Sequence, residues 1–226
     1  MAFRISVYRV QMPMRKQKGF TMVEIAIVLV IIGLLIGGVL KGREMITNAK
    51  LKRIERDHAG IVVATNTYQD RYAALPGDDD RADFRFLIYT DGINDPAPID
   101  INGDGDGTID GNWMGPVNSE TSNFWKHLRA AGLIPGGGDD ETQPSNAYGG
   151  QIGVRDGSLT LAGHVVVVGS VEGPIARLLE NRFDDGSPAT GRIQSDLTAA
   201  LMDGFAVSSA GVNYDDASRY FMAFDL

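Results

Sequence analysis

Oxygen-bearing side chains stand at alternate positions of one glycine-rich stretch of the chain. Calcium takes about six to eight oxygen ligands, and a calcium loop places glycine at its sixth position and further oxygen ligands at its seventh and ninth. Gly107 occupies that sixth position when the loop is counted from Asn102. The residues expected to supply oxygens are Asn102, Asp104, Asp106, Asp110 and, through its carbonyl, Thr108. We therefore expect Ca²⁺ as a cofactor.

The closing ligand of this loop is missing, because Trp113 stands where a calcium loop has its bidentate glutamate. Another register, beginning at Asp100, lacks that glutamate as well. The remaining ligand would have to come from elsewhere, and the candidates are Asp91, Asp95 and Glu120. Without an ion, the same stretch is an acidic, solvated turn. Zinc is disfavoured, since the chain has no cysteine and only three scattered histidines.

A second chemical feature is a carboxylate inside an apolar span. Residues 20–40 are apolar apart from Thr21 and Glu24, and a helix of about 20 apolar residues can cross a bilayer. A charge at the centre of such a span costs roughly 2.5 kcal/mol or more, so it usually has a function and a partner. The basic residues 15–18 precede the span and favour a cytoplasmic N-terminal end.

The residues around this span carry a family resemblance. Gly19 is followed by Phe20, Thr21 and, three positions later, Glu24, between a basic leader and an apolar helix. This pattern resembles the prepilin-type signal of type IV pilins and type II secretion pseudopilins. The resemblance implies that a prepilin peptidase cleaves between Gly19 and Phe20, methylates the new amine of Phe20, and leaves the helix on the mature protein. A plain single-pass anchor is the alternative.

Two roles are open for Glu24. A carboxylate in a low dielectric needs a counter-charge, which the free Phe20 amine of a neighbouring subunit would supply after cleavage. Alternatively, Glu24 caps the N-terminus of its own helix. Both roles can hold at once, and only the first explains a filament.

The resemblance also implies partners and a location. The expected partners are identical or homologous pilin subunits in a helical filament, the prepilin peptidase and an inner-membrane assembly platform. The protein would be bacterial, would lie in the inner membrane before assembly, and would then join an extracellular filament or a periplasmic pseudopilus. A pilus subunit, a secretion pseudopilin and a minor tip pilin acting as an adhesin all remain open.

Charge and composition exclude other classes. The chain carries a net charge of −8, and removing the five basic residues of the leader leaves −13, which argues against nucleic acid as the main partner. Without cysteine, no disulfide braces the domain. No serine-hydrolase elbow, zinc-protease motif, P-loop or cysteine nucleophile is found, so we do not expect an enzyme.

The resemblance implies an α+β, pilin-like fold in which a long N-terminal helix packs on an antiparallel sheet. We predict a leader at 1–19, with Met12 and Met14 as alternative starts to Met1. A membrane and filament-core helix is expected at 20–44, followed by an amphipathic helix at 45–75 that forms the spine of the globular domain. The globular domain is expected at 76–226, with a long acidic surface loop at 77–118. The spine is predicted from a helical stripe of Ile54, His58, Ile61, Thr65, Tyr68 and Tyr72.

Finer elements follow from local patterns. Glycines at 33, 37, 38 and 42 predict either local melting in a filament or close helix packing. Residues 119–131 and 174–182 are predicted helices, with His127 exposed. The predicted strands are 151–154, 158–162, 164–171 at the sheet centre, and 191–194 and 219–225 at its edges.

Overall fold

The computed structural model of the chain describes residues 19–86, 101–114, 119–197 and 213–226. The helices and strands within them are α1 Met22–Tyr72, α2 Ala82–Arg85, α3 Glu120–Ala130, β1 Ile152–Ser158, β2 Leu161–Glu172, α4 Gly173–Phe183, β3 Ile193–Asp196 and β4 Arg219–Asp225. The four strands form one antiparallel sheet in the order β1-β2-β4-β3. The predicted α+β, pilin-like layout is confirmed.

The first part of α1 is an apolar helix without a protein partner in the described chain. Every large apolar side chain from Met22 to Ile46 is at least 45% exposed. This is the described helix that is long and apolar enough to cross a membrane. It remains α-helical through Gly33 and Gly42 in the single chain. Within the described chain, residues 19–45 form one compact unit, and the residues from Ile46 onward form another.

The second part of α1 supplies one wall of the core. Ile54, Ile61 and Tyr68 are buried and belong to the same apolar cluster as Val166 and Met222 of the sheet. Their spacing of seven residues places them on one face of the helix, which is the stripe predicted from the sequence. The helix ends after Tyr72, where Ala73 takes a positive φ of 52°.

The sheet differs from the prediction at two places. The expected strand at 158–162 is wrong, because Leu159 adopts a φ of 54° and the chain turns there from β1 into β2. The expected edge position of β4 is also wrong, since β4 pairs with both β2 and β3. Ala223 and Met222 point to opposite faces and are both fully buried, as a central strand requires.

The acidic segment is only partly a surface loop. In its described residues, Asp79, Ile101, Ile109 and Trp113 are each no more than 1% exposed. Ile109 belongs to the main core cluster, and Trp113 packs with Val165 and Val167 on the other face of the sheet. Part of the segment predicted as surface loop is therefore folded into the domain.

Candidate functional site

The N-terminus of α1 is closed by a reciprocal pair of side chains. The backbone N–H and the hydroxyl of Thr21 each donate to Oε2 of Glu24 at 2.8 Å. The N–H of Glu24 donates to Oγ1 of Thr21 at 3.3 Å. A threonine before the first helical residue and a glutamate three positions later form a capping box. Glu24 therefore does cap its own helix.

The segment before the cap is uncrowded. Phe20 is 83% exposed, and a Cβ added at Gly19 would meet nothing within 4 Å. The main chain at the predicted cleavage position therefore has open space on the side where a larger residue would place its side chain. The roles of Gly19, Phe20 and Glu24 in processing and assembly stay predictions.

Asp78 holds the backbone of the candidate calcium loop, residues 102–110. This side chain is 4% exposed and accepts two backbone hydrogen bonds, from the N–H of Gly105 at 2.6 Å and from the N–H of Gly107 at 2.7 Å. Gly107 has a φ of 92°, a conformation that side-chain-bearing residues rarely adopt, which accounts for glycine at this position. A residue outside the loop thus fixes its backbone.

Glu120, the first residue of α3, holds the same loop at two further points. Its Oε1 accepts the N–H of Asp104 at 3.0 Å, and its Oε2 accepts the N–H of Asp110 at 2.7 Å. Together with Asp78, it accounts for four backbone N–H groups of the loop. The loop is therefore preorganised by carboxylates on both sides.

The loop brings together three aspartates from the predicted ligand set. One carboxylate oxygen each of Asp104, Asp106 and Asp110 lies within 4.8 Å of the others, and all three residues are exposed. Thr108 donates both its N–H and its hydroxyl to Oδ1 of Asp106, at 2.8 and 2.6 Å. These bonds stabilise the ionised carboxylate and lower the pKa of Asp106.

A second acidic group adjoins the first and shares Asp104 with it. One oxygen each of Asp78, Asp104 and Glu120 also lies within 4.8 Å of the others. Burial raises the pKa of Asp78 against the hydrogen bonds from Gly107 and Gly105, and the charge of Asp106 adds to the rise. Burial likewise raises the pKa of Glu120, with the charges of Asp78 and Asp104 contributing. Five carboxylates therefore lie close together, and a bound cation would reduce the repulsion between their charges.

The other predicted ligands are placed differently. Asn102 uses its Oδ1 to accept the N–H of Asp83 at 3.0 Å. Glu120 adjoins the loop through the hydrogen bonds described above. Asp91, Asp95 and Asp100 lie outside the described residues. The oxygen chemistry of the three loop aspartates fits calcium, and the complete ligand set remains a prediction.

His127 is a structural residue that the sequence prediction placed wrongly. It is fully buried instead of exposed, and its ring stacks on Tyr68 with 5.9 Å between ring centroids. Nδ1 accepts the N–H of Gly77 at 2.8 Å, so Nε2 carries the proton and donates to the carbonyl of Ile101 at 2.7 Å. The imidazole therefore joins α3 to two distant points of the acidic segment, Gly77 and Ile101. Burial lowers the pKa of His127 to about 4.

Asp79 contacts Tyr68, as His127 does, and the sequence analysis did not identify it as a buried structural residue. It is fully buried, accepts the Tyr68 hydroxyl at 2.6 Å and the Arg81 N–H at 3.0 Å, and forms an ion pair with Arg85. A sequence signal existed, because two aspartates directly after a proline–glycine pair that ends a helix are well placed to accept backbone N–H groups. Nothing local indicated that Asp78 and Asp79 would be buried.

Comparison with known proteins agrees with the N-terminal geometry. Comparison with curated proteins and with solved structures gave no significant match. One family model matches, the prokaryotic N-terminal methylation motif, at residues 14–40. The match covers the leader end, Gly19, the Thr21–Glu24 cap and the exposed apolar part of α1. The chain thus carries the prepilin-type signal of type IV pilins and pseudopilins.

Proposed function

We propose that this protein is a structural subunit of a type IV pilus or a related filament. In this proposal, prepilin peptidase cuts after Gly19 and the subunit assembles through the apolar part of α1. The observation that carries the proposal is the matched methylation motif, which ends at residue 40 in the part of α1 whose large apolar side chains are all exposed. Such a surface is stable in lipid or against copies of the same helix, and unfavourable in water.

The assembly step rests on Glu24. Cleavage creates a cationic amine on Phe20, one residue before the capping threonine. The cap engages Oε2 of Glu24, and within the described chain its Oε1 accepts no hydrogen bond. In a bundle of such helices, the Phe20 amine of a neighbouring subunit would pair with this carboxylate and set the axial register.

A second candidate is a pseudopilin of a type II secretion system, because the same motif precedes both kinds of subunit. A minor tip pilin acting as an adhesin is the third form of this function. Abundance distinguishes them. A major pilus subunit dominates filaments sheared from cells, a tip protein is a trace component, and a pseudopilin is absent from them. A gel of sheared filaments with intact-mass identification of the processed chain tests the proposal, and a chain that is never processed contradicts all three forms.

The globular domain is proposed to bind calcium at the loop that contains Asp104, Asp106 and Asp110. Preorganisation supports this, because Asp78 and Glu120 fix the loop backbone independently of an ion. The role of the ion would be to neutralise the crowded carboxylates and so to stabilise a domain that has no disulfide.

A further inference from the structure

A third group of carboxylates lies where α4 ends, and it includes a buried oxygen without a partner. One oxygen each of Glu180, Asp184 and Asp185 lies within 4.8 Å of the others. Glu180 is fully buried, and within the described chain its Oε2 has no hydrogen-bond partner. Leaving a buried polar atom without a hydrogen-bond partner destabilises the folded state, and more so when the group is charged. A ligand bound to this oxygen would remove that cost.

We propose that Glu180, Asp184 and Asp185 bind a divalent cation, calcium by their chemistry, and that the ion ties α4 to the edge strand β3. The site is separate from the loop at residues 102–110 and involves different elements.

The surroundings of Glu180 favour a cation over a protein partner. The Ser195 hydroxyl donates to the Tyr214 oxygen at 2.7 Å, and the Tyr214 hydroxyl donates to Oε1 of Glu180 at 3.0 Å. These two hydrogen bonds form a chain that ends at Oε1 of Glu180 and leaves Oε2 available to another ligand. The nearby arginines form ion pairs elsewhere; these pairs are Arg177–Asp216, Arg182–Glu55 and Arg192–Asp225.

The connection between α4 and β3 fixes the other two carboxylates. Oδ2 of Asp184 accepts the N–H of Ile193, the first residue of β3, at 2.6 Å. Asp185 accepts the N–H of Ser187 at 2.8 Å and the hydroxyl of Thr190 at 2.5 Å. The site is thus already formed by the fold, which lowers the ordering cost of binding.

The donor set selects the ion. All three groups offer carboxylate oxygen, which suits a hard cation such as calcium that takes about six to eight oxygen ligands in a flexible geometry. Magnesium requires a tighter octahedron with distances of about 2.0–2.1 Å.

The experiment uses the full chain in detergent micelles. The background variant is Asp104→Ala/Asp106→Ala, so that the loop at residues 102–110 does not bind calcium. Calcium is titrated calorimetrically, and we expect one bound calcium. Adding Glu180→Gln should weaken binding at least tenfold, because glutamine can keep the Tyr214 contact but has no charge. Glu172→Gln, at the opposite end of α4, is the matched control and should bind like the background.

A second variant distinguishes loss of calcium binding from misfolding of the Glu180 variant. Asp185 is exposed, so Asp185→Asn should fold and still lose affinity. Terbium bound here should show tyrosine-sensitised emission, because Tyr214 contacts Glu180, and Asp185→Asn should weaken that emission. The proposal is overturned if the background variant binds no calcium, or if Glu180→Gln and Asp185→Asn both bind it as tightly as Glu172→Gln does. In that case, Glu180 is a protonated core carboxyl.

Discussion

The carboxylate of Asp78 accepts the backbone N–H of Gly107 across 29 positions of sequence, at 2.7 Å. Its other oxygen accepts the N–H of Gly105, so one buried side chain holds two glycines of the loop at residues 102–110. This relationship makes Asp78 a support of the candidate calcium loop, although it was not in the predicted ligand set.

Replacing Asp78 by Asn should therefore destabilise the domain whether or not calcium is present. An amide presents an N–H₂ group where one oxygen stood, so one glycine N–H faces a donor and is left unsatisfied, at a cost of about 1–3 kcal/mol. Chemical denaturation of the full chain in detergent measures the loss. Asp80→Asn, on the exposed neighbour, is the matched control and should cost little. Equal stability of the two variants would contradict the supporting role of Asp78.

Gly19→Val should leave an uncut, membrane-bound precursor. The open space at Gly19 is where the peptidase would approach the main chain, and a branched side chain would fill it. Intact-mass analysis of the membrane fraction measures the loss of residues 1–19, with Gly19→Ala as a smaller substitution for comparison. Normal processing of the valine variant would rule out this requirement.

Two substitutions of Glu24 distinguish the role of its charge in assembly from its role in capping the helix. Glu24→Ala should be processed normally and enter filaments poorly. Glu24→Gln can still accept the Thr21 hydrogen bonds but has no charge, so it should assemble as poorly as the alanine variant if the Phe20 amine is the partner. The yield of sheared filaments, normalised to processed subunit, is the measurement. Wild-type yield from the glutamine variant would mean that capping is the role that matters.

Calcium should raise the melting temperature of the full chain in detergent. The measurement uses a Glu180→Gln background, in which the second proposed site does not bind calcium. Binding to the folded state alone adds about 2.7 kcal/mol when free calcium is 100 times the dissociation constant. The effect should disappear with a chelator and in the Asp104→Ala/Asp106→Ala variant, and magnesium should substitute poorly. An unchanged melting temperature with calcium would identify residues 102–110 as an acidic turn.

Stability should fall on acidification because of His127. Its pKa is about 4 in the folded protein against 6.5 in the unfolded chain, so the unfolded state binds more protons between these values. The contribution is complete above pH 6.5 and is lost as the pH falls to about 4, with a total on the order of 3 kcal/mol. His127→Gln should be less stable at pH 7 and should lose less on acidification. Parallel stability curves for wild type and variant between pH 6.5 and 4 would contradict this.

Residues 14–72 were predictable because their signals are local. The motif from Gly19 to Glu24 is contiguous, and the stripe from Ile54 to Tyr68 is a helical repeat that any partner surface would bury. The ends of α3 and α4 were also close to their predicted positions, since caps and glycines act over a few residues. Hydrogen bonding within a helix depends on near neighbours, and the sequence determines it directly.

Only the tertiary structure decided which polar groups are buried together. Asp78 meets Gly105 and Gly107, His127 joins Gly77 to Ile101, and Tyr214 meets Glu180, all across 26 to 50 positions. The central place of β4 also depends on pairing with β2 and β3. Such contacts arise when the whole core forms and excludes water, because a buried carboxylate or imidazole is stable only with partners that distant segments supply.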